Sequence, residues 1–115
     1  MSVPSDVLLQ LIVARPQARI LADLLLAHGS GLFFTVSFIR GHGQPDERLT
    51  AQEQVAGAQN KVRIEVELAA AGVDPLLQEI DARLSRGAVF FRVLPILRQG
   101  CIGGSVLPGA DQAQD

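Results

Sequence analysis

The chain has 115 residues, a formal charge of −2 and one cysteine, Cys101, so it fits a single domain that buries its own core, and no internal disulfide is available. Aromatic residues make up 4% of the sequence and Trp and Tyr are absent, which together with the acidic balance excludes a basic, ring-lined nucleic-acid surface. The segment Met1 to Asp6 has no basic flank ahead of its apolar run, and no apolar stretch approaches the ~20 residues of a membrane-spanning helix. A cytoplasmic protein without direct membrane insertion is expected.

Val7 to Val13, rich in Leu and β-branched residues, reads as a buried strand. Pro16 follows with a φ preset for a helix start, Ile20, Leu21, Leu24 and Leu25 recur at helical spacing, and Gly29 after His28 offers a left-handed stop. In the second strand Leu32, Phe34, Val36 and Phe38 share one face, and Phe33, Thr35, Ser37 and Ile39 the other. A long polar stretch, Gly41 to Gly57, comes next. Compact domains favour short connections, because these close with less entropy loss, so the 41–57 loop is read as the working part. Within it Thr50-Ala51-Gln52-Glu53 has the spacing of a capping box, and Gly57 would end the short helix.

From Lys61 to Leu68 the alternation is clean: Val62, Ile64, Val66 and Leu68 point one way, Lys61, Arg63, Glu65 and Glu67 the other. Asp74 then reads as an N-cap with Pro75 at the first helical position, and Leu76, Leu77, Ile80 and Leu84 as the apolar stripe of a helix ending before Gly87. Val89 to Leu97 makes a fourth strand, with Pro95 marking an edge or bulge. The domain is expected over 1–102, with 103–115 a flexible tail.

The order βαββαβ is the split βαβ pattern of ferredoxin-like domains, an α+β fold with a four-stranded antiparallel sheet and two helices on one face. Its other face then carries Leu8, Ile12, Phe33, Ile39, Phe90 and Leu94 among Gln10, Thr35, Ser37, Arg92 and the charges of the third strand. So apolar a surface is expected to be buried between subunits, making the protein a homo-oligomer.

Gly41-His42-Gly43 reads as a turn, or as a hinge that delivers an imidazole to an anion or metal. The imidazole and thiol donors are His28, His42 and Cys101, in no recognised metal spacing; His28 at a helix end reads as structural. An intersubunit metal site using His42 and Cys101 is the alternative kept open. Arg86 in Ser85-Arg86-Gly87 and Arg98 in Arg98-Gln99-Gly100 are candidate anion-binding residues, although neither run is a Walker sequence. No His-Glu-x-x-His, Gly-x-Ser-x-Gly or pocketed carboxylate pair is present, so catalysis is not expected.

The stretch GHGQPDERLTAQEQVAG, the alternating KVRIEVEL and the later VFFRVLPILRQG resemble a PII-like family of short bacterial proteins of unknown function, often encoded beside heavy-metal efflux pumps of the resistance-nodulation-division type. The likeness runs from about Val7 to Ile102, and its most specific pieces are Gly41-His42-Gly43, Glu53-Gln54-Val55 with Gly57, and Val93-Leu94-Pro95. It implies a trimer with the sheets lining the centre and 41–57 acting as a T-loop that reports a ligand to a transporter. The segment before the last strand departs from PII proteins: Ser85-Arg86-Gly87 replaces their Gly- and Lys-containing phosphate grip, which argues against ATP. The resulting expectation is a non-enzymatic, trimeric regulator or adaptor whose effector or partner loop carries Gly41, His42, Gly43, Glu53, Gln54 and Gly57. It would sense a small ligand, with a nucleotide or a transition metal as the classes to test, and contact a membrane transporter. The alternative is a cytoplasmic heavy-metal buffer or sensor using His42 and Cys101.

Overall fold

A computed structural model describes residues 5–29, 31–43, 58–84 and 89–103. In chain order these form β1 (Val7–Ala14), α1 (Arg15–Leu26), β2 (Phe33–Gly41), β3 (Gln59–Leu68), a 3-10 turn (Ala70–Gly72), α2 (Val73–Arg83) and β4 (Phe90–Pro95). The fold is α+β, with four strands in the order β2-β3-β1-β4 and every neighbouring pair antiparallel. It follows that β1 and β2, joined through α1, run parallel with β3 inserted between them. In the same way β3 and β4, linked through α2, run parallel with β1 between them.

The period-two pattern decides which face is buried. Leu9, Leu11 and Val13 of β1 and Val62, Ile64 and Val66 of β3 are fully covered, and they pack with Leu21, Leu24 and Leu25 of α1 and Val73, Leu76 and Ile80 of α2. Each large aliphatic side chain so buried contributes about 1.5–3 kcal/mol relative to exposure. The helices shield the two interior strands far better than the edges. On the same side of the sheet, Phe38 in β2 is 72% exposed and Phe91 in β4 is 49% exposed.

Several local expectations shift. Gly29 does not take the left-handed conformation; α1 ends through Ala27 in a right-handed geometry, and the left-handed residue is Gly31 at φ 68°, whose N–H donates to the His28 carbonyl at 3.0 Å. The chain reversal is thus deferred until just before β2. Ile20 belongs to α1 but not to its buried stripe: at about 100° around the helix from Leu21 it faces outward and is 47% exposed. Asp74 is not the N-cap of α2. The 3-10 turn feeds directly into the helix, leaving Gly72 at the cap and Asp74 inside the first turn.

The missing cap is supplied from a distance. Asp6, just ahead of β1, accepts a 2.7 Å hydrogen bond at Oδ1 from the N–H of Ala70, the first residue of the 3-10 turn. Its backbone is also tied on both sides, since Asp6 N–H donates to the Leu68 carbonyl and Ile96 N–H donates to the Asp6 carbonyl. Asp6 therefore clamps β1, the end of β3 and the end of β4 together at one rim of the sheet.

Candidate functional site: the uncovered sheet face

The strand register places four side-chain rows across the face opposite the helices. One row is Phe33, Glu67, Leu8 and Leu94; the next is Thr35, Glu65, Gln10 and Arg92; the third is Ser37, Arg63, Ile12 and Phe90. Ile39, Lys61 and Ala14 form the fourth. Every residue assigned to this face from the sequence lies on it. Phe33 is 63% exposed and Phe90 55%, so the large apolar groups toward the two edges meet solvent in the single chain.

The second row is a connected polar ladder. Gln10 donates from Nε2 to Glu65 Oε2 at 3.1 Å, and its Oε1 accepts from Arg92 Nη1 at 2.9 Å. One amide thus links an acid on β3 to a base on β4, a chain of bonds in which each partner polarises the next. Arg63 approaches Glu65 Oε2 at 3.9 Å, yet its Nε is buried with no hydrogen-bond partner among the described residues. The Arg92 guanidinium also lies over the Phe90 ring, 5.0 Å from the centroid, so its position is fixed from two sides. Sequence pattern puts Gln10, Glu65 and Arg92 on one face without pairing them. The signal was a single long polar residue in the middle of each otherwise apolar strand, Gln10 in β1 and Arg92 in β4.

The described loop residues, Gly41 to Gly43, fall at one end of the sheet. Gly41 is the last residue of β2, in register with Gln59 and with a backbone that any residue adopts in a strand. Gly43 does turn left-handed, at φ 86°, with exposed His42 between the two. Glu53, Gln54 and Gly57, the capping box at Thr50, and Arg86 all lie outside the described residues. Arg98 and Cys101 are exposed on the extended segment after β4. That segment leaves from Pro95, in register with Val7 and hence Leu68, and Gln99 Nε2 donates to the Ser5 carbonyl at 3.4 Å. At roughly 3.4 Å per strand residue, His42 beside Gln59 and Cys101 beyond Leu68 are separated by about 30 Å along β3. One chain therefore does not bring the two together, and among the described residues no group of three or more His, Cys, Asp or Glu converges on a point.

Among the described residues no helix is long and apolar enough to cross a membrane. No curated protein matches the chain. The chain is similar to solved structures: a DUF3240 family protein from Shewanella baltica OS155 aligns at a TM-score of 0.67 and 20% identity, over 89% of this chain and 99% of that one. A functionally unknown protein from Pediococcus pentosaceus ATCC 25745 aligns at 0.58 and 14% identity, over 86% and 99%. At such identities the likeness concerns the fold. Because residues 3–103 match its model, the chain belongs to the DUF3240 family, described as a protein of unknown function.

Proposed function

We propose that the protein is a PII-like regulator or adaptor, built as a ferredoxin-like split βαβ protomer and assembled as a trimer through its uncovered sheet faces. The observation that carries the reading is that face: apolar rows ending in Phe33, Phe90 and Leu94, left open to solvent in the single chain, beside a sheet whose helix side already holds the core. Burying those rows against sister copies removes their hydration penalty. The strand order β2-β3-β1-β4, with each crossover helix bridging two parallel strands around an inserted third, supports the split βαβ assignment.

With the sheets committed to assembly, contact with other proteins falls to segments at the sheet ends. Residues 41–57 leave β2 through the left-handed turn at Gly43, and in this reading they engage a membrane transporter, such as a heavy-metal efflux pump, from the cytoplasmic side. A small ligand or metal ion bound by the assembly would bias that contact. Two measurements test the proposal. Analytical ultracentrifugation gives three times the chain mass if the assembly is a trimer, and a monomer across the micromolar range sinks it. Deleting Gln44 to Gln54 leaves that mass unchanged and abolishes capture of a detergent-solubilised efflux pump, whereas undiminished capture removes the role of the segment. A thermal-shift screen of nucleotides and transition metals then identifies the ligand class, since a ligand selective for the native state raises its melting temperature.

A further inference from the structure

We infer that the outer edge of β2 is a docking site for an extended acidic peptide of a partner protein, which adds to the sheet beside Val36 and Phe38 and sets its carboxylates against Arg15, Arg19 and Arg40. The inference stands apart from the assembly proposed above, because it uses the helix side of the sheet and its rim.

The two edges of the sheet differ. β4 has six residues, carries Arg92 near its middle and ends at Pro95, features that discourage a further strand. β2 is nine residues long and runs from Phe33 to Ile39 without a charge or a proline, and among the described residues no strand lies on its outer side. Such an edge leaves a row of backbone N–H and C=O groups free to take up another strand. A polypeptide supplies the matching donors and acceptors at the strand repeat, whereas a nucleic acid or a lipid surface does not.

The side chains along this edge define the partner. Phe34, Val36, Phe38 and Arg40 pair with Val66, Ile64, Val62 and Asn60 and so lie on the helix side, where α1 packs over β1 and β3 and leaves β2 open. Val36 is 46% exposed there, and the Arg15 guanidinium lies over the exposed Phe38 ring, 5.3 Å from its centroid. Arg40 is one strand repeat beyond Phe38, and Arg19 one helical turn beyond Arg15; all three arginines are exposed. β2 has no acidic residue and α1 none in its first turn, its one acid, Asp23, lying two turns past Arg15. A one-signed rim of this kind is complemented by carboxylates. The edge strands that a second copy could offer, β2 and β4, carry Arg40 and Arg92 and no acid, so they lack that complement. The fitting peptide therefore has aliphatic residues beside Phe34 and Val36 and acids beside Phe38 and Arg40. Its alternate positions are small polar residues that match Thr35 and Ser37 on the other face.

The probe is a fluorescent eight-residue peptide that alternates threonine with two valines and then two aspartates, made also in reverse order to allow either strand direction. Anisotropy titration with the full chain is expected to show saturable binding of at least one order, and lysine in place of both aspartates to weaken it at least tenfold. Arg15→Glu with Arg40→Glu should cost a similar factor, and Val36→Lys should abolish binding, with circular dichroism verifying both folds. Hydrogen exchange read by mass spectrometry should show new protection of residues 33–41 when the peptide is bound. No binding in the millimolar range, equal binding of the lysine peptide, or protection confined to other segments overturns the inference. So does a wild-type mass in analytical ultracentrifugation that falls in Val36→Lys, since a sister copy would then hold the edge. A monomeric wild type that binds the peptide removes the trimer reading and leaves this inference standing.

Discussion

Leu8 and Leu9 are adjacent in β1 but serve opposite faces, and truncating each to alanine separates the energetics of folding from those of association. Leu9 is fully buried beneath the helices, flanked in register by Val66 and Val93. Leu9→Ala removes three carbons, about 2.4 kcal/mol at ~0.8 kcal/mol per buried methylene, to which a cavity term is added. Val93 is 43% exposed and can relax into the gap, which keeps the total near the lower part of the observed range, about 3 kcal/mol. For a domain of this length that lowers the melting temperature by roughly 12 °C. Leu8, half-buried on the open face between Glu67 and Leu94, should behave differently. Its loss weakens the packing of copies, so the penalty of Leu8→Ala grows with protein concentration, while that of Leu9→Ala is the same at every concentration. Urea titrations at 1 and 100 μM monitored by circular dichroism check this. A Leu8→Ala penalty independent of concentration, or a Leu9→Ala penalty below about 1 kcal/mol, would refute the assignment of the two faces.

Three further outcomes are expected. Asp6→Ala, which strips the acceptor from Ala70 N–H, should lower stability by about 1 kcal/mol in denaturant titration, with Asp6→Asn recovering most of it; equal losses would show that the side chain does not cap. Gly43→Ala forces a side chain into φ 86° and should cost about 1 kcal/mol, while Gly41→Ala, whose added Cβ meets only the Gln59 carbonyl oxygen at 4.0 Å, should be neutral or slightly stabilising. Isothermal calorimetry with zinc, copper, cobalt and nickel should give equal heats for wild type and His42→Ala; a heat lost only in the variant would favour the metal-buffer alternative.

The strands were legible because alternation is a local signal. Val62, Ile64 and Val66 against Arg63, Glu65 and Glu67 announce both the element and its buried face without any knowledge of neighbours. Features that depend on distant chain segments were not. Asp6 looks like an ordinary polar residue ahead of a strand, and its partner Ala70 lies 64 positions away. The ladder was half legible: Gln10, Glu65 and Arg92 could be assigned to one face, but only the insertion of β1 between β3 and β4 puts the amide between acid and base. The helix ends misled for another reason. Gly29 and Asp74 satisfy capping preferences, yet the reversal falls at Gly31 and the 3-10 turn at Ala70–Gly72 pre-empts the cap. Glu53, Gln54, Gly57 and Arg86 remain expectations from the sequence, lying outside the described residues.

Strand β3 has one further consequence, for engineering. From Lys61 to Leu68 its even-numbered side chains belong to the hydrocarbon layer under the helices and its odd-numbered ones to the opposite surface, with no residue shared between the two sets. Recoding Lys61, Arg63, Glu65 and Glu67 therefore offers a route to orthogonal variants that ignore the parent chain, while Val62, Ile64, Val66 and Leu68 go on holding the protomer in shape.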